Sequence, residues 1–355
     1  MSASVVTRYG AQIGDLAAAC DALGQPSFRA RQLAQGLWEQ RRPLEDLTNL
    51  PMELRERLAR ALPVALRPVA RREADGGTTV KWLWRAADGV QVETVLMVYA
   101  RRATVCVSSQ AGCAMGCTFC ATGQAGFERH LDAGEMLEQV MRACHASPRR
   151  VANVVFMGMG EPLANLDAVW RVVERLHKEA GFSARHLTVS TVGLVPAMRR
   201  MAEWSLPVTL AVSLHAPDDA LRDRIVPINR RYRIAEVLDA ARGYAATSGR
   251  RVTFEYACIS GVNDHPHQAA RLGALLRGMR GGGHVNLIPL NPTTGFGGTP
   301  SDRGRIAAFA RALEREGVRV SIRRNRGTGI DAACGQLRAR GDATVDPPPS
   351  ARMPR

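Results

Sequence analysis

The regular alternation of strand-like and helix-like segments in the second part of this 355-residue chain is the strongest constraint on its fold. Apolar, strand-like runs occur at ATVCVSSQ, VANVVFMGMG, HLTVSTVG, VTLAVSLHA, RVTFEYACIS and HVNLIPLNP, with a further one at VRVSIRR. Helical patterns accompany them at about 132–147, 165–180, 218–225, 233–248, 264–280 and 301–316. Repeated strand–helix units form a parallel sheet with right-handed crossovers. The pattern therefore predicts an α/β protein with a partial (β/α)6 barrel, whose catalytic residues lie at the carboxyl ends of the strands.

Shorter segments flank this predicted core of residues 99–337. Apolar residues at helical spacing, as in FRARQLAQGLWEQ, predict a small helical domain over residues 1–75, with helices to about residue 65. It could dock a partner such as RNA, or it could simply be a packing unit. Alternation in TTVKWLWRA and VQVETVLMVY predicts a β-hairpin linker over 76–98, and the proline-rich end, 338–355, is predicted to be disordered.

The charge of the chain favours an anionic partner. Lys and Arg number 48 and Asp and Glu 33, which gives a net charge of +15, and Lys81 and Lys178 are the only lysines. Clustered cations gain affinity for nucleic acids by releasing counterions, although a solvated basic surface would give the same count. The sequence contains neither an apolar run of about 18 residues nor a signal peptide. We therefore expect a cytoplasmic protein that does not bind membranes.

Three cysteines in the segment CAMGCTFC are the clearest candidate ligands in the chain. Cys113, Cys117 and Cys120 offer soft thiolates, which suit either zinc or an iron–sulfur cluster. Structural zinc usually has four ligands, so Cys106 is a candidate fourth, but the second short cysteine pair of a zinc knuckle is missing. The pattern C-x-x-x-C-x-aromatic-C resembles the signature of the radical S-adenosylmethionine (SAM) superfamily. That resemblance implies a [4Fe-4S] cluster with one iron open to SAM.

Polar residues end several of the other predicted strands. Gly160 and Glu161 in MGMGEP resemble the Gly-Glu motif with which the superfamily receives the ammonium group of SAM. Each of the remaining residues could be an ordinary polar group at a strand end, but together they form a candidate ring for SAM. They are Ser190, Ser213, Leu214, His215 and Asn291.

Longer motifs narrow the resemblance to one family. VETVL, VCVSSQAGCAMGCTFCATGQAGF, MGMGEPLANLD, LTVSTVGLVPAM, AVSLHAP, IVPIN, GVND, NLIPLNP and IDAACGQL resemble radical SAM RNA adenine C2-methyltransferases. These enzymes act on 23S rRNA and, in many members, also on tRNA, and the likeness runs from about Pro26 to Leu337. It implies a monomer that receives electrons from a donor such as flavodoxin or ferredoxin.

The resemblance also implies the roles of three further residues. Cys334 would accept a methyl group from one SAM, and a radical made from a second SAM at the cluster would remove a hydrogen atom from that methyl. The resulting methylene radical would add to the adenine. Cys106 would release the product by forming a transient disulfide with Cys334, and Glu93 would accept the ring proton. Cys20, Cys144 and Cys258 match no motif and are interpreted as packed thiols.

Other functions share part of this pattern. Methylation of carbon 8 of the same rRNA adenosine uses the same five cysteines, although GFERHL and NLIPLNP look more like the carbon 2 group. A radical SAM enzyme for a protein or small molecule would need neither Cys334 nor the positive charge. A non-catalytic, zinc-stabilised RNA-binding protein is the alternative from another class. The chain also departs from the family at Gly329, where most members carry an acidic residue, so the support of the Cys334 loop is in doubt.

Overall fold

A ten-stranded sheet is the framework of the protein, seen in a computed structural model that describes residues 6–279 and 283–337. In chain order, the strands are β1 (Leu66–Ala74), β2 (Thr79–Ala86), β3 (Gln91–Val98), β4 (Ala103–Cys106), β5 (Gln110–Gly112), β6 (Phe127–His130), β7 (Val151–Phe156), β8 (Leu187–Thr191), β9 (Thr209–Ser213), β10 (Thr253–Cys258), β11 (His284–Pro289) and β12 (Arg319–Ile322). The sheet has the order β1-β2-β3-β4-β7-β8-β9-β10-β11-β12, and β5 pairs with β6 in a small separate ribbon.

Helices precede the sheet, follow the cysteine segment CAMGCTFC and connect the parallel strands. They are α1 (Ile13–Ala22), α2 (Phe28–Ala34), α3 (Met52–Ala61), α4 (Ala121–Ala125), α5 (Ala133–Ala146), α6 (Leu166–Lys178), α7 (Val195–Ala202), α8 (Asp219–Ile225), α9 (Ile234–Ser248), α10 (Pro266–Leu276) and α11 (Arg303–Arg315). Strands β4 and β7 to β12 run parallel, with α5 to α11 between them. The predicted partial barrel of six strand–helix units and one further strand is confirmed. Parallel strands that are covered on both faces consist almost entirely of apolar residues. This explains why the sequence analysis recognised them as apolar runs.

One barrel helix and one strand pair were not predicted. Helix α7 is only eight residues long and begins two residues after Gly193, so its apolar periodicity is too short to be recognised. The β5–β6 ribbon is equally short, and its two strands flank the cysteine loop.

The segment before the barrel contains more strand than predicted. Residues Leu66–Ala74, which the sequence placed inside the helical domain, form β1, and β1, β2 and β3 are a three-stranded antiparallel meander rather than a two-stranded hairpin. Strand β1 is mostly exposed and arginine-rich, with only Leu66 fully buried, so it lacks an apolar alternation. The meander also continues the barrel sheet, because β3 pairs with β4.

The N-terminal helices contact the barrel at the amino ends of its strands. The Arg41 guanidinium donates hydrogen bonds to the carbonyl oxygens of Val151, at the start of β7, and of Ala180, just after α6. The Arg175 guanidinium near the end of α6 donates to the carbonyl oxygens of Tyr9 and Ala11. These contacts lie at the end of the barrel opposite the carboxyl ends of the strands. The proposed disordered tail, 338–355, lies outside the described residues, and no described helix has the length and apolar character needed to cross a membrane.

Candidate active site

A cavity of about 530 Å³ opens at the carboxyl ends of the parallel strands. Eleven of the thirteen residues predicted for the site line it, and the two exceptions are Glu93 and Leu214. The lining residues are Cys106, Cys113, Cys117, Cys120, Gly160, Glu161, Ser190, Ser213, His215, Asn291 and Cys334. Side chains that are up to 228 residues apart along the chain, Cys106 and Cys334, thus meet in one chamber.

The cysteine loop is held by the β5–β6 ribbon and a tight glycine turn. The amide of Cys113 donates to the carbonyl of Gly126 at 2.7 Å, and Gly112 has φ +73°. A Cβ on Gly112 would lie 2.0 Å from that same carbonyl oxygen, so only glycine fits. Burial, with the neighbouring cysteines as a smaller cause, raises the pKa of Cys117 well above its usual value and that of Cys113 to about 12. Three thiolates so close together need a positive centre between them.

The residues present fit an iron–sulfur cluster and SAM. In the described parts of the chain, no three His, Cys, Asp or Glu side chains converge on one ion position. A single zinc ion needs that convergence, whereas a cluster takes each thiolate at a different iron. Nearby, the buried Oδ1 of Asn291 has no hydrogen-bond partner among the described residues, although it faces a cavity large enough for a ligand. Such an atom is expected where a polar ligand binds.

Glu161 places a buried carboxylate on the wall of the cavity. Its carboxylate accepts hydrogen bonds from the amides of Leu163 at 3.0 Å and Val192 at 2.9 Å, which fix both oxygens. Complete burial raises the pKa of Glu161 to about 7. Preceding Gly160 has φ +101°, and a Cβ there would lie 2.6 Å from Cβ of Gln110. The backbone therefore passes close to the cysteine loop only because residue 160 is glycine.

Side chains at the end of β9 point alternately to opposite faces, so the three residues predicted there do not all face the cavity. Ser213 and His215 face the cavity, while the Leu214 side chain is fully buried in the hydrophobic core. Its side chain therefore does not face the cavity, and the predicted contact of Leu214 with SAM remains a prediction. Its carbonyl, with that of Ser213, accepts hydrogen bonds from the buried guanidinium of Arg222. Arg222 also donates to the carbonyl of Val192, so this cation fixes the ends of two strands.

Hydrogen bonds to the backbone fix the orientations of the His215 and Ser190 side chains. The His215 Nδ1 accepts the amide hydrogen of Ala257 at 3.0 Å, and burial lowers the pKa of His215 to about 3, so the ring is neutral. Its edge packs against Phe119 of the cysteine loop, with ring centroids 4.8 Å apart. The Ser190 hydroxyl donates to the carbonyl of Phe156 at 2.6 Å, which leaves its oxygen free to accept from a ligand.

Cys334 and Cys106 line the same cavity as free thiols. Cys334 is accessible from the cavity and yet enclosed by protein, so burial raises its pKa. Burial likewise raises the pKa of Cys106, and the proximity of Cys334 raises it further. The two sulfurs are therefore near enough to influence each other electrostatically.

The loop that carries Cys334 is held by several separate contacts. The Asn291 amide donates to the Cys334 carbonyl at 2.9 Å, and the Ala121 amide donates to the Gly335 carbonyl at 2.7 Å. Gly329, at which the chain departs from its family, is exposed, and a Cβ there would meet no atom within 4 Å. The described contacts of this loop therefore do not depend on a side chain at position 329.

Glu93 lies beside the cavity rather than on its wall. It sits on β3, on the same face as Val95 and Met97, which do line the cavity. Its carboxylate forms a buried ion pair with Lys81 on β2, with 2.8 Å between Nζ and Oε1. Sequence reasoning missed Lys81. The register of the hairpin could have identified it, because Glu93 pairs with Leu83 and Lys81 is the diagonal neighbour on the same face.

Glu255 is a second missed residue of the cavity. Its buried carboxylate accepts hydrogen bonds from the Asn286 amide at 2.7 Å and from the Thr253 hydroxyl at 3.2 Å. Burial raises its pKa. The signal available in the sequence was a single acid within the apolar run TFEYAC. Burial of such an acid is costly unless polar groups on neighbouring strands form hydrogen bonds with it.

We expect Glu161→Gln to stabilise the protein without its cofactors while weakening SAM binding. Burial of the ionised carboxylate raises its pKa from 4.5 to about 7, so above pH 7 the native state is destabilised by on the order of 3 kcal/mol. Glutamine removes this cost but keeps only one acceptor oxygen for the amides of Leu163 and Val192, which costs about 1–2 kcal/mol, so the net gain is smaller than the cost removed. The gain in thermal midpoint should be full above pH 7 and should disappear as the pH falls towards 4.5. Loss of the charge opposite an ammonium group should weaken SAM affinity by about 10-fold or more.

Thermal unfolding at pH 8 and pH 5, with calorimetry for SAM, measures both effects. Glu203→Gln, at an exposed position, is the matched control. A variant that is less stable than the parent at pH 8 would contradict the assigned cost of burial.

Known proteins resemble this chain in both structure and sequence. A crystal structure of a radical SAM methyltransferase from Sphaerobacter thermophilus superposes with a TM-score of 0.88 and is 47% identical, covering 94% of this chain and 100% of that one. The sequence profile of the Radical SAM superfamily matches residues 107–273. The barrel, the three-cysteine loop and these matches define the protein as a radical SAM enzyme.

Two curated relatives extend the match over nearly the whole chain. Proteins of Parafrankia sp. and Chloroflexus aurantiacus, each named probable dual-specificity RNA methyltransferase RlmN, are 52% and 49% identical. The alignments cover 91% and 94% of this chain and 89% and 92% of theirs. The chain belongs to the RlmN family of dual-specificity RNA methyltransferases.

Membership of this family decides between the two cofactors, zinc and an iron–sulfur cluster, that the cysteine spacing alone allowed. Enzymes of this superfamily and family use a [4Fe-4S] cluster and SAM, so both predicted cofactors are confirmed and the zinc alternative is set aside. The family name likewise confirms the predicted RNA partner.

Proposed function

We propose that this enzyme methylates carbon 2 of adenine in 23S rRNA and in tRNA, with the new methyl carbon delivered by Cys334. The observation that carries the proposal is the single cavity in which Cys334, Cys106 and the three cysteines of the loop meet. The names of the relatives support RNA as the substrate. A methyl-carrying thiol, a second thiol and a cluster-binding loop in one chamber match a reaction that passes through a protein–RNA adduct.

Carbon 2 of adenine explains why such machinery is needed. It lies between two ring nitrogens and is electron-poor, so it does not attack the methyl group of SAM. When bound by Cys113, Cys117 and Cys120, the cluster with SAM supplies a carbon-centred radical that removes a hydrogen atom from a methyl group. The protein's part is to hold that methyl group on sulfur inside the cavity that also contains the cysteine loop.

Cys334 is suited to carry the methyl group. As a thiolate it attacks the methyl carbon of a first SAM, and the bond from that carbon to the sulfonium breaks as the new carbon–sulfur bond forms, with S-adenosylhomocysteine as the leaving group. Burial raises the pKa of Cys334, so the thiol is largely neutral until a positive group such as a sulfonium approaches. This restricts its nucleophilicity to the moment at which SAM is bound.

Cys106 and Glu93 are proposed to complete the reaction. The Cys106 thiolate bonds to Cys334 Sγ, the electron pair of the adduct's carbon–sulfur bond stays with the methylene carbon, and that carbon takes a proton to become the methyl group. Glu93 accepts the proton that carbon 2 loses as the adduct radical gives up one electron to the electron-transfer partner of the enzyme. The place of Glu93 on β3, two residues from cavity-lining Val95, supports this role. A cellular dithiol reduces the Cys106–Cys334 disulfide before the next turnover.

Arginines around the cavity support binding of an RNA backbone. Arg102, Arg323, Arg324 and Arg326 all line it, and the Arg326 guanidinium stacks on Tyr99 at 4.3 Å from the ring centroid. Arg323 and Arg324 are exposed, as phosphate-binding groups must be. We therefore propose that the RNA enters over this rim, so that a flipped adenine reaches Cys334.

Three further features belong to the same proposal. An external electron donor such as flavodoxin or ferredoxin serves the cluster, because no described residue supplies electrons repeatedly. The enzyme acts as a monomer, since all five predicted cluster-binding and catalytic cysteines of a single chain already meet in one cavity. It works in the cytoplasm, where rRNA and tRNA are present.

Mass spectrometry of digested RNA tests the proposed function. Anaerobically reconstituted enzyme, SAM and a reductant should convert both a 23S rRNA fragment and a tRNA to products that contain 2-methyladenosine. 8-Methyladenosine as the sole rRNA product would overturn the regiochemistry in favour of the antibiotic-resistance activity. Methylation of rRNA alone would overturn the second substrate.

A further inference from the structure

Lys81 connects two groups that the proposed reaction uses at the same stage. Its side chain is only 10% exposed, and its Nζ lies 2.8 Å from Glu93 Oε1. The same nitrogen donates a hydrogen bond to the carbonyl oxygen of Asp331 at 3.1 Å. Asp331 lies three residues before Cys334, so one ammonium group spans the proposed base and the loop that carries the methyl group.

The geometry suits a lysine in particular. An ammonium group has three donors and can serve a carboxylate and a carbonyl at once. Its burial is costly unless both contacts are made, so the ion pair and the loop contact support each other. Asp331 has φ +51°, in the left-handed region, which turns its carbonyl towards the meander.

Neighbouring contacts from the meander hold the same loop. The Asp75 carboxylate accepts the amide hydrogen of Gly327 at 2.9 Å, and Arg326 donates to the Val98 carbonyl at 2.9 Å. Lys81, in addition to its contact with this loop, forms an ion pair with Glu93. The meander therefore supports the loop in general, while Lys81 links it to the carboxylate.

We propose that Lys81 is a positioning residue that fixes Glu93 relative to the Cys334 loop during release of the protein–RNA adduct. The proposal rests on the proposed roles of Glu93 and Cys334. Lys81 itself transfers no proton. It aims the carboxylate at the ring hydrogen and keeps the loop from moving away while the adduct is bound.

Lys81→Met, compared with Lys178→Met, is the experiment that tests this. The substitution is the same at both lysines, but Lys178 is 65% exposed on α6 and forms its ion pair with Glu174 of the same helix. Lys81→Met should methylate Cys334 from SAM alone as the parent does, because that step does not use Glu93. Release of the RNA adduct should be slower by about 10- to 100-fold, within the range of general-base effects. Lys178→Met should match the parent in both steps.

Two additional measurements separate positioning from a general loss of structure. Lys81→Arg, which keeps the charge and several donors, should recover most of the release rate. Hydrogen exchange of the 326–337 segment should rise in Lys81→Met and not in Lys178→Met. In the double variant with Glu93→Gln, release should be slowed by clearly less than the product of the two single effects, because Lys81 acts in part through that carboxylate.

Each contrary result has its own meaning. Adduct release at the parental rate in Lys81→Met overturns the positioning role. An equal loss in Cys334 methylation and in release, with no recovery in Lys81→Arg, reduces Lys81 to a packing residue. If Glu93→Gln alone releases the adduct normally, then the proposed role of Glu93 as proton acceptor is wrong, whatever the result for Lys81.

Discussion

Cys334→Ala is expected to abolish RNA methylation, by at least about 10,000-fold, while leaving the iron–sulfur cluster in place. Without the sulfur there is no atom to carry the new methyl carbon, and among the described residues no other thiol lies on the same loop. The loop itself should stay in place, because Asn291 bonds to the carbonyl of residue 334 and not to its side chain. Product yield, iron and sulfide content and absorbance near 400 nm measure these effects.

Cys144→Ala is the control for this variant. Cys144 is a half-buried thiol on α5 that does not line the cavity, so its removal should leave methylation close to the parental rate. Residual multiple-turnover methylation by Cys334→Ala would show that the methyl group travels without Cys334. Loss of iron from the variant would show that residue 334 supports the cluster rather than the methyl group.

Cys106→Ala is expected to trap the protein covalently on its RNA. The variant can still methylate Cys334 and form the adduct, but no thiol is then placed to attack Cys334 Sγ. Turnover should fall by about 100-fold or more, and the adduct should approach one RNA per protein. A shifted band on a denaturing gel that nuclease digests to a nucleotide-modified Cys334 peptide identifies the trapped species.

The pH dependence of release gives a second view of Cys106. Burial and the proximity of Cys334 raise its pKa, so its thiolate fraction grows throughout the neutral to mildly alkaline range. The release rate of the parent enzyme should therefore increase with pH. A Cys106→Ala enzyme that turns over normally would overturn the release mechanism.

The parts of the site that are local in sequence were predictable. Cys113, Cys117 and Cys120 lie within eight residues, so their spacing alone identified a soft ligand set. Gly160, Ser190 and Asn291 end three apolar runs, and the rule that parallel strands share one functional edge brought them together. The strand–helix unit is repeated six times, so the sequence predicted the barrel even where the predicted ends of single strands or helices were inexact.

Contacts between distant segments could not be read in the same way. Lys81 meets Asp331 across 250 residues, and no local pattern relates the meander to the loop. Inside the barrel, the Glu255 carboxylate receives a hydrogen bond from Asn286 on the neighbouring strand. The burial of this acid is therefore explained only once the pairing of the two strands is known. Strand β1 was missed because tertiary pairing with β2, rather than an apolar pattern of its own, makes it a strand.

The contrast between the two lysines has a practical consequence. Lys81 is enclosed, whereas Lys178 is exposed at the last residue of α6, which runs from the cavity mouth to the opposite end of the barrel. Amine-reactive dyes or supports should therefore couple at Lys178 and spare Lys81. Apart from the N-terminal amine, this arginine-rich protein thus has one lysine for tethering, on the side facing away from the mouth, so that an immobilised enzyme presents its cavity to the solution.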